Sequence, residues 1–453
     1  MTHTNLFKAL GWKGASHDAG EDEKTPSLPE VHRSIAIPSE LSFFKKMMLF
    51  AGPGFLVAVG YMDPGNWATS LAGGSKFGYT LLTVVLMSSI FAMILQHLSL
   101  KLGIVTGRDL AQMCRDRYPK PVAILLWLMA EVMIIATDLA EVIGSAIALY
   151  LLFDIPILIG VMITAVDVLI ILYLQNKGFR YLEALIVVLM ATIVVIFGFQ
   201  LIVSAPAIAP LLAGFIPTTQ IVFNADMLYL AIGIIGATVM PHNLYLHSAI
   251  VQTRRYAETR EGKKEAIKFA TIDSTAALTI ALFVNASILI LAAAVFFTNG
   301  IGEVAAIEEA YKLLSPLVGV SIASTLFAIA LLAAGQNATI TGTLAGQIIM
   351  EGFINLRIKP WVRRIITRLL AIVPAIVVIG VYGDGAATDL LILSQVVLSL
   401  QLSFAVFPLL MFTGSKKIMG EFANSTHLNI IAWIIGIIIA SLNLWLLNGL
   451  FFG

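Results

Sequence analysis

Apolar stretches of about twenty residues alternate with short polar connections along nearly the whole of this 453-residue chain. A helix needs ~20 apolar residues to cross a hydrocarbon layer ~30 Å thick, so the pattern predicts an all-α, polytopic membrane protein. We expect eleven transmembrane spans, at residues 47–70, 78–104, 121–150, 155–174, 181–204, 227–251, 270–298, 318–350, 364–382, 388–412 and 428–451.

Composition supports this class of protein. The chain is 59% hydrophobic and 12% charged, whereas a soluble domain carries about a quarter charged residues. The net charge of +1 and the absence of a basic tract give no indication of nucleic-acid binding. Cys114 is the only cysteine, so no intrachain disulfide is expected.

Residues 1–45 are polar at first and lack a cleavable signal sequence, and we expect them to form a poorly ordered cytoplasmic tail.

The distribution of basic residues predicts the orientation. Lysine and arginine concentrate in the amino-terminal tail and in every second connection, while the opposite connections hold only Lys76 and Lys312. Cytoplasmic connections of membrane proteins carry the excess of basic residues. We therefore expect a multi-pass protein of the cell membrane with a cytoplasmic amino terminus and an extracellular carboxyl terminus.

Two polar segments interrupt spans 1 and 6 in matching positions. They read VGYMDPGNW (residues 59–67) and ATVMPHNLYLH (residues 237–247), so Pro64 corresponds to Pro241. Proline removes a backbone donor and disrupts a helix interior. Unwound backbone at this depth is tolerated where it lines a protein-enclosed cavity. A simple proline kink is the alternative, but matching breaks favour a site.

The two breaks lie five spans apart, in spans 1 and 6, so the two halves of the chain cross the membrane in opposite senses. This is the sequence pattern of an inverted repeat with binding at mid-membrane. We assign repeat 1 to residues 46–204, repeat 2 to residues 205–412 and a final helix to residues 413–453.

The residues at the breaks suggest a cation site. Asp63 offers a carboxylate, Asn66 an amide oxygen, and the backbone around Gly60 and Ala237 offers freed carbonyls. Oxygen ligands alone would suit Mg²⁺ or Ca²⁺, whereas a thioether such as that of Met240 favours softer transition metals. A lone methionine is more often a packing residue, but its position opposite Asp63 in the paired motifs favours a ligand for Mn²⁺ or Fe²⁺.

Titratable residues inside other spans need an explanation, because a charge at the bilayer centre costs at least ~3 kcal/mol. The spacing of Glu131, Asp138 and Glu141 places them on one face of span 3, and Arg368 in span 9 is the natural counter-charge. Either a structural ion-pair cluster or a proton relay fits these residues. His242 has a side chain suited to carry protons near neutral pH.

Four motifs together resemble the Nramp family of divalent-metal transporters. They are GYMDPGNW in span 1, GIVTGRDLAQ after span 2, MPHNLYLHS in span 6 and GQNATITGTLAGQ in span 8. The resemblance implies a LeuT-type fold. It also implies proton-coupled import of Mn²⁺, Fe²⁺ and related ions, which include Cd²⁺, Co²⁺, Ni²⁺ and Zn²⁺.

The resemblance also implies roles for particular residues. The family's metal ligands fall on Asp63, Asn66, Met240 and the carbonyl of Ala237. The resemblance also favours the relay reading, with Asp63, Asp138, Glu141, His242, Arg254 and Arg368 as members, and Glu131 joins them through its place on the same face of span 3. From the residues alone, we expect Gln395 in span 10 and the backbone at Gly60 to be additional metal contacts. The chain departs from the family pattern at Ser403 and at Asn337–Ala338.

Two other classes of function stay open. A Na⁺- or H⁺-coupled amino-acid symporter shares this architecture, but Asp63 would repel the substrate carboxylate. A channel or a receptor is the other alternative. We find no nucleophile–base constellation or nucleotide-binding loop, so we expect no enzyme and no cofactor. The expected partners are the metal ion, protons and the lipid bilayer, without an obligate protein partner or nucleic acid.

Overall fold

The computed structural model describes residues 26–38, 40–165, 179–302, 304, 306–356, 360–383 and 385–452. The helices in the first half are α1 (Phe43–Phe50), α2 (Pro53–Gly60), α3 (Pro64–Phe77), α4 (Leu82–Thr106), α5 (Leu110–Arg117), α6 (Lys120–Phe153) and α7 (Phe179–Ser204). Those in the second half are α8 (Ile208–Ala213), α9 (Gln220–Phe223), α10 (Ala225–Thr238), α11 (Pro241–Ile250), α12 (Arg260–Ala292), α13 (Ile307–Val318), α14 (Ala323–Ile354), α15 (Pro360–Tyr382), α16 (Ala386–Gly414), α17 (Lys416–Met419) and α18 (Thr426–Phe452).

The predicted all-α membrane fold is confirmed. Within the described ranges, nine helices are long and apolar enough to span a bilayer when α10 and α11 count as one. These nine correspond to predicted spans 2, 3 and 5–11. Span 1 is divided between α2 and α3, and the start of span 4 is helical at residues 157–165. The rest of span 4, residues 166–174, lies outside the described residues.

Both predicted helix breaks are present. In the first, α2 ends at Gly60 and α3 begins at Pro64; in the second, α10 ends at Thr238 and α11 begins at Pro241. Each new helix begins with proline at its first position, where the missing N–H would have no intrahelical partner. The two prolines therefore start the second half of each span.

Close packing of α6 against α14 explains the small residues of the GQNATITGTLAGQ motif. A Cβ on Gly335 would lie 2.4 Å from the Ser145 hydroxyl, and one on Gly342 would lie 2.5 Å from Glu141 Oε1. Small residues let helices approach closely in membranes. The motif thus serves to bring α14 onto the polar face of α6.

The amino-terminal segment is packed against the helices, although it falls within the expected poorly ordered tail. Residues 26–38, which we call the strap, include β1 (Ile35–Ala36), which pairs in parallel with β2 (Arg254–Arg255) after α11. Leu28 is 2% exposed, and its N–H donates to Glu351 Oε2 of α14 over 2.9 Å. The strap therefore joins the end of span 6 to the end of span 8.

The charged segment after span 6 is largely helical, because α12 runs without interruption from Arg260 into span 7. Thr259 caps this helix by accepting a hydrogen bond from the Gly262 N–H over 3.2 Å, and Glu261 lies in its first turn. Both features stabilise a helix amino terminus, so the helix begins well before the apolar span.

Candidate metal site at the helix breaks

The two breaks meet through one asparagine. Asp63 caps α3, and its Oδ1 accepts hydrogen bonds from the Asn66 N–H (2.9 Å) and from Asn66 Nδ2 (2.7 Å). The same Nδ2 donates to the carbonyl oxygen of Ala237, in the last turn of α10, over 2.7 Å. All three residues are buried. The structure therefore brings three of the four predicted ligands into one hydrogen-bonded group.

Met240, the fourth predicted ligand, occupies the same position in the second break as Asp63 does in the first. Each is the extended residue immediately before the proline, at the amino-terminal cap of the new helix. Met240 is fully buried. Its thioether cannot cap the helix as the Asp63 carboxylate does, so capping gives no reason for a methionine at this point.

Gln395 and Gly60, the two additional predicted contacts, differ in their surroundings. Gln395 Nε2 of α16 donates to Asp63 Oδ2 over 3.4 Å. A Cβ on Gly65 would lie 1.9 Å from that nitrogen, so glycine is needed there for Gln395 to reach Asp63. Gly60 instead faces the side chain of Asn243.

Side-chain hydrogen-bond donors stabilise the first break. Its free carbonyls would be costly to bury without partners. Asn285 Nδ2 of α12 donates to the Tyr61 carbonyl over 2.8 Å, and Trp67 Nε1 donates to the Met62 carbonyl over 3.1 Å. The indole ring packs edge-on against Phe197 and Phe327. These hydrogen bonds and ring contacts therefore stabilise the unwound segment in the folded protein.

Thr238 and Asn285 are not among the residues predicted for this site. Thr238 Oγ1 donates to Asn66 Oδ1 over 3.4 Å and so helps to fix the amide that joins the breaks. Asn285 could be recognised as a polar residue in an apolar span, but its acceptor, a carbonyl 224 residues away, has no local sequence signal.

The chemistry of this group suits a cation. The Asn66 amide nitrogen donates to two oxygens, Asp63 Oδ1 and the Ala237 carbonyl. A cation in the place of that nitrogen would be attracted to both oxygens. Within the described ranges, no three His, Cys, Asp or Glu side chains cluster in a way that could hold a metal ion. The predicted site uses one carboxylate and neutral oxygen and sulfur donors instead.

The predicted relay residues fall into two places. Glu141 and Asp138 are fully buried on α6, and Arg368 Nη1 of α15 lies 3.5 Å from Glu141 Oε2. The guanidinium also donates to the carbonyl of Thr164 over 3.3 and 3.4 Å. The predicted pairing of Arg368 with the acids of span 3 is therefore present in the structure.

His242 lies beside the same face of α6. Its Nδ1 is 3.5 Å from Thr137 Oγ1, and Thr137 directly precedes Asp138 in α6. Glu131 is nearer the surface, and its Oε1 accepts a hydrogen bond from Trp127 Nε1 over 3.0 Å. The structure thus places His242 against α6 next to its acidic residues, with Glu131 nearer the surface.

Arg254 forms a separate group. Its Nη1 lies 2.7 Å from Glu183 Oε1 of α7, and its Nη2 donates to the Ala51 carbonyl over 2.7 Å. Asp273 of α12 accepts hydrogen bonds from the N–H groups of Gly52 and Gly54, at 3.4 and 2.7 Å. Together these residues hold the start of α2. Glu183 was not among the predicted residues, although an acid within span 5 was visible in the sequence.

The GIVTGRDLAQ motif builds a capped turn beneath the strap. Asp109 caps α5 by accepting from the Gln112 N–H over 2.8 Å, and its own N–H donates back to Gln112 Oε1. The strap residue Ser27 donates to Asp109 Oδ2 over 2.7 Å. Burial raises the pKa of Asp109 to about 6, against the opposing effect of these hydrogen bonds. The motif therefore anchors the strap at the end of span 2.

Comparison with known proteins identifies the family. The model of the Nramp family, described as natural resistance-associated macrophage protein-like, matches residues 54–448. This chain is an Nramp protein. A divalent metal cation transporter of Listeria monocytogenes is 63% identical over 425 residues, covering 94% of this chain and 95% of that protein. A protein of the same name from Nostoc is 58% identical, covering 94% and 96%.

Solved structures confirm the fold of this Nramp protein. A manganese transporter of Eremococcus coleocola, crystallised with an aromatic bis-isothiourea compound, matches with a TM-score of 0.87 at 43% identity. The match covers 92% of this chain and 90% of that one. A nucleobase-cation-symport family transporter matches with a TM-score of 0.58 at 15% identity and shows the shared fold alone. The LeuT-type fold and the assignment as a secondary transporter, not an enzyme, are both confirmed.

Proposed function

We propose that this Nramp protein imports divalent transition-metal ions, Mn²⁺ and Fe²⁺ foremost, together with protons. The ligands are the Asp63 carboxylate, the Asn66 amide oxygen, the Ala237 carbonyl and the Met240 thioether. One observation carries the proposal: the Asn66 amide joins the carboxylate of one helix break to the freed carbonyl of the other. The names of the relatives, divalent metal cation and manganese transporters, support the same substrate class.

Metal binding in this proposal requires the Asn66 amide to turn over. Nδ2 now faces both Asp63 Oδ1 and the Ala237 carbonyl, whereas a cation needs an oxygen in that place. Rotation of the amide turns Oδ1 toward the ion. It also frees Asp63 Oδ1 and the Ala237 carbonyl oxygen, which then coordinate the ion. The cation thus replaces the hydrogen-bond donor that joins the two helix breaks.

Selectivity in this proposal comes from Met240. A thioether binds hard ions such as Ca²⁺ and Mg²⁺ weakly and binds softer transition metals better. A site with a single carboxylate also lacks the several charged oxygens typical of tight calcium sites. Both features disfavour the abundant hard cations.

Proton movement in this proposal runs along α6. Metal and proton compete for the Asp63 carboxylate, so metal binding displaces a proton there. His242, Asp138, Glu141 and Arg368 form the route toward the cytoplasm, with Glu131 at its edge. Arg254 belongs to its cytoplasmic end, where its ion pair with Glu183 also holds the start of α2 and closes the inner side.

Transport then follows alternating access in the cell membrane. A cleft between α3, α10 and α16 is lined by Thr69, Gly233 and Gln395, and Gln395 contacts Asp63, so the cleft leads toward the site. The contacts of the strap and of Arg254 close the other side. We place the strap in the cytoplasm, as the basic residues predict. Release of the ion needs α2 and α11 to move away from α14.

Uptake into proteoliposomes tests this proposal. The full-length protein should accumulate Mn²⁺ faster with an inward proton gradient than without one. Excess Ca²⁺ or Mg²⁺ should compete weakly, and Asp63→Asn should abolish uptake. Mn²⁺ uptake by Asp63→Asn at the rate of the unaltered protein would refute the assigned site, and equal competition by Ca²⁺ would refute the assigned selectivity.

A further inference from the structure

Asn243 is the counterpart of Asn66 in the second repeat. Asn66 follows Asp63 by three residues in the first turn of α3, and Asn243 follows Met240 by three residues in the first turn of α11. Each amide therefore has the same place relative to its own helix break. The proposed function uses Asn66 and leaves Asn243 without a role.

The two amides contact the opposite break reciprocally. Asn66 reaches from α3 to Ala237 in the last turn of α10. Asn243 reaches from α11 to Gly60, the last residue of α2, where a Cβ would lie 2.3 Å from Nδ2 and 2.9 Å from Oδ1. Gly60 and Ala237 are themselves matching positions of the paired motifs. Glycine at position 60 is explained by this close approach.

Asn243 differs from Asn66 in its hydrogen bonds. Asn66 Nδ2 has two acceptors, whereas neither Nδ2 nor Oδ1 of Asn243 has a hydrogen-bond partner among the described residues. The side chain is nevertheless fully buried. Burial of an amide without hydrogen-bond partners is unfavourable, because its bonds to water are lost and not replaced. A partner other than the described protein atoms would remove that cost.

We propose that Asn243 is a further ligand of the transported ion, through its side-chain oxygen. This inference rests on the proposed function. Mn²⁺ favours octahedral, oxygen-rich coordination, and Asp63, Asn66, Ala237 and Met240 supply four donors. Asn243 adds a neutral oxygen from α11, the half-helix on the strap side of the break.

Equilibrium binding of Mn²⁺ to the purified full-length protein, followed by calorimetry, tests the assignment. Asn243→Ala should weaken binding about tenfold or more, a loss common for metal-site residues. Asn243→Asp should retain Mn²⁺ binding and strengthen Ca²⁺ binding, because it adds a charged oxygen. A packing role would predict neither effect. The matched control is Asn443→Ala in α18, a buried amide bonded to Ser399, which should bind Mn²⁺ normally.

Gly60→Ala supplies a second test that does not depend on the stability of Asn243→Ala. The new methyl group should displace the amide and weaken Mn²⁺ binding. The double variant Gly60→Ala/Asn243→Ala removes the clash, yet should not regain affinity. Recovery of full affinity in the double variant, or unchanged affinity in Asn243→Ala, would overturn the assignment. Asp63→Asn, measured alongside, separates the two proposals, because normal Mn²⁺ binding by that variant would refute the proposed function itself.

Discussion

Gly342 of α14 lies so close to Glu141 of α6 that a Cβ on the glycine would be 2.5 Å from the carboxylate oxygen Oε1. The other oxygen of that carboxylate is 3.5 Å from Arg368 Nη1. The position of a buried acid, and of its ion pair, therefore depends on the absence of a side chain on the neighbouring helix.

Gly342→Ala should disturb proton coupling while the protein still folds. The methyl group pushes the end of a flexible side chain, so we expect ~1–3 kcal/mol of destabilisation from overpacking. The displaced carboxylate should alter the dependence of Mn²⁺ uptake on the pH gradient. Uptake at several external pH values measures this. Gly335→Ala is the matched control, since it meets the Ser145 hydroxyl instead of an acid, and an identical pH profile in both variants would contradict the role of Glu141.

Met240→Ala should reduce discrimination more than transport. Loss of the thioether removes the donor that disfavours hard ions, so Ca²⁺ should compete about tenfold better, which corresponds to roughly 1.4 kcal/mol. Mn²⁺ uptake should fall less. Competition curves measured in proteoliposomes give both values. Met133→Ala, a buried methionine of α6, controls for lost volume, and unchanged rejection of Ca²⁺ in Met240→Ala would rule out the thioether as the selective ligand.

Glu183→Gln should destabilise the closed inner side. The ion pair of Glu183 with Arg254 is buried, with side chains 5% and 1% exposed. Removal of one charge of a buried pair costs ~3–5 kcal/mol, because the other is left uncompensated. Urea or thermal unfolding in detergent measures the loss.

The exposed pair between Arg260 and Glu421, with side chains 57% and 43% exposed, is the control for Glu183→Gln. Glu421→Gln should change stability by less than ~1 kcal/mol. Equal losses in the two variants would show that burial of the Arg254 pair has no special importance.

Asp109 should make stability fall as pH rises from about 4 to about 6. Burial raises the pKa of Asp109 to about 6 in the folded protein, whereas it lies near 3.9 in an unfolded chain. The folded state therefore holds a proton that the unfolded state has already lost, and rising pH removes that advantage. The pKa difference sets an upper limit of about 3 kcal/mol.

Comparison with Asp109→Asn isolates this effect, because asparagine still caps the helix. Unfolding free energies of both proteins are measured between pH 4 and pH 7. The unaltered protein should lose stability relative to the variant across this interval and then reach a plateau. A constant difference would mean that Asp109 titrates alike in both states.

The sequence predicted the features that depend on local chemistry. Pro64 and Pro241 disrupt helices wherever they occur within a span, so both breaks could be located. Asn66 and Asp63 lie three residues apart at a helix start, and their contact follows from capping geometry. Long apolar stretches likewise determined most spans to within a few residues.

Contacts between distant segments were not predictable in the same way. The pairing of Arg254 with Glu183, and of Leu28 with Glu351, joins residues that no periodicity relates. Polar composition suggested that residues 26–38 lack structure, yet a few buried side chains and backbone hydrogen bonds are enough to fix them. These contacts depend on how the helices assemble in three dimensions.

The strap makes much of its contact through main-chain atoms. The Arg33 N–H donates to the Gln252 carbonyl over 2.9 Å, and the Ile37 N–H donates to the Arg255 carbonyl over 3.0 Å. Main-chain bonds of this kind tolerate substitution of the residues around β1 that donate them, since any residue except proline supplies the same N–H. A single Ile37→Pro change would remove one of these donors, so a genetic screen should find this stretch permissive to most replacements and sensitive to that one.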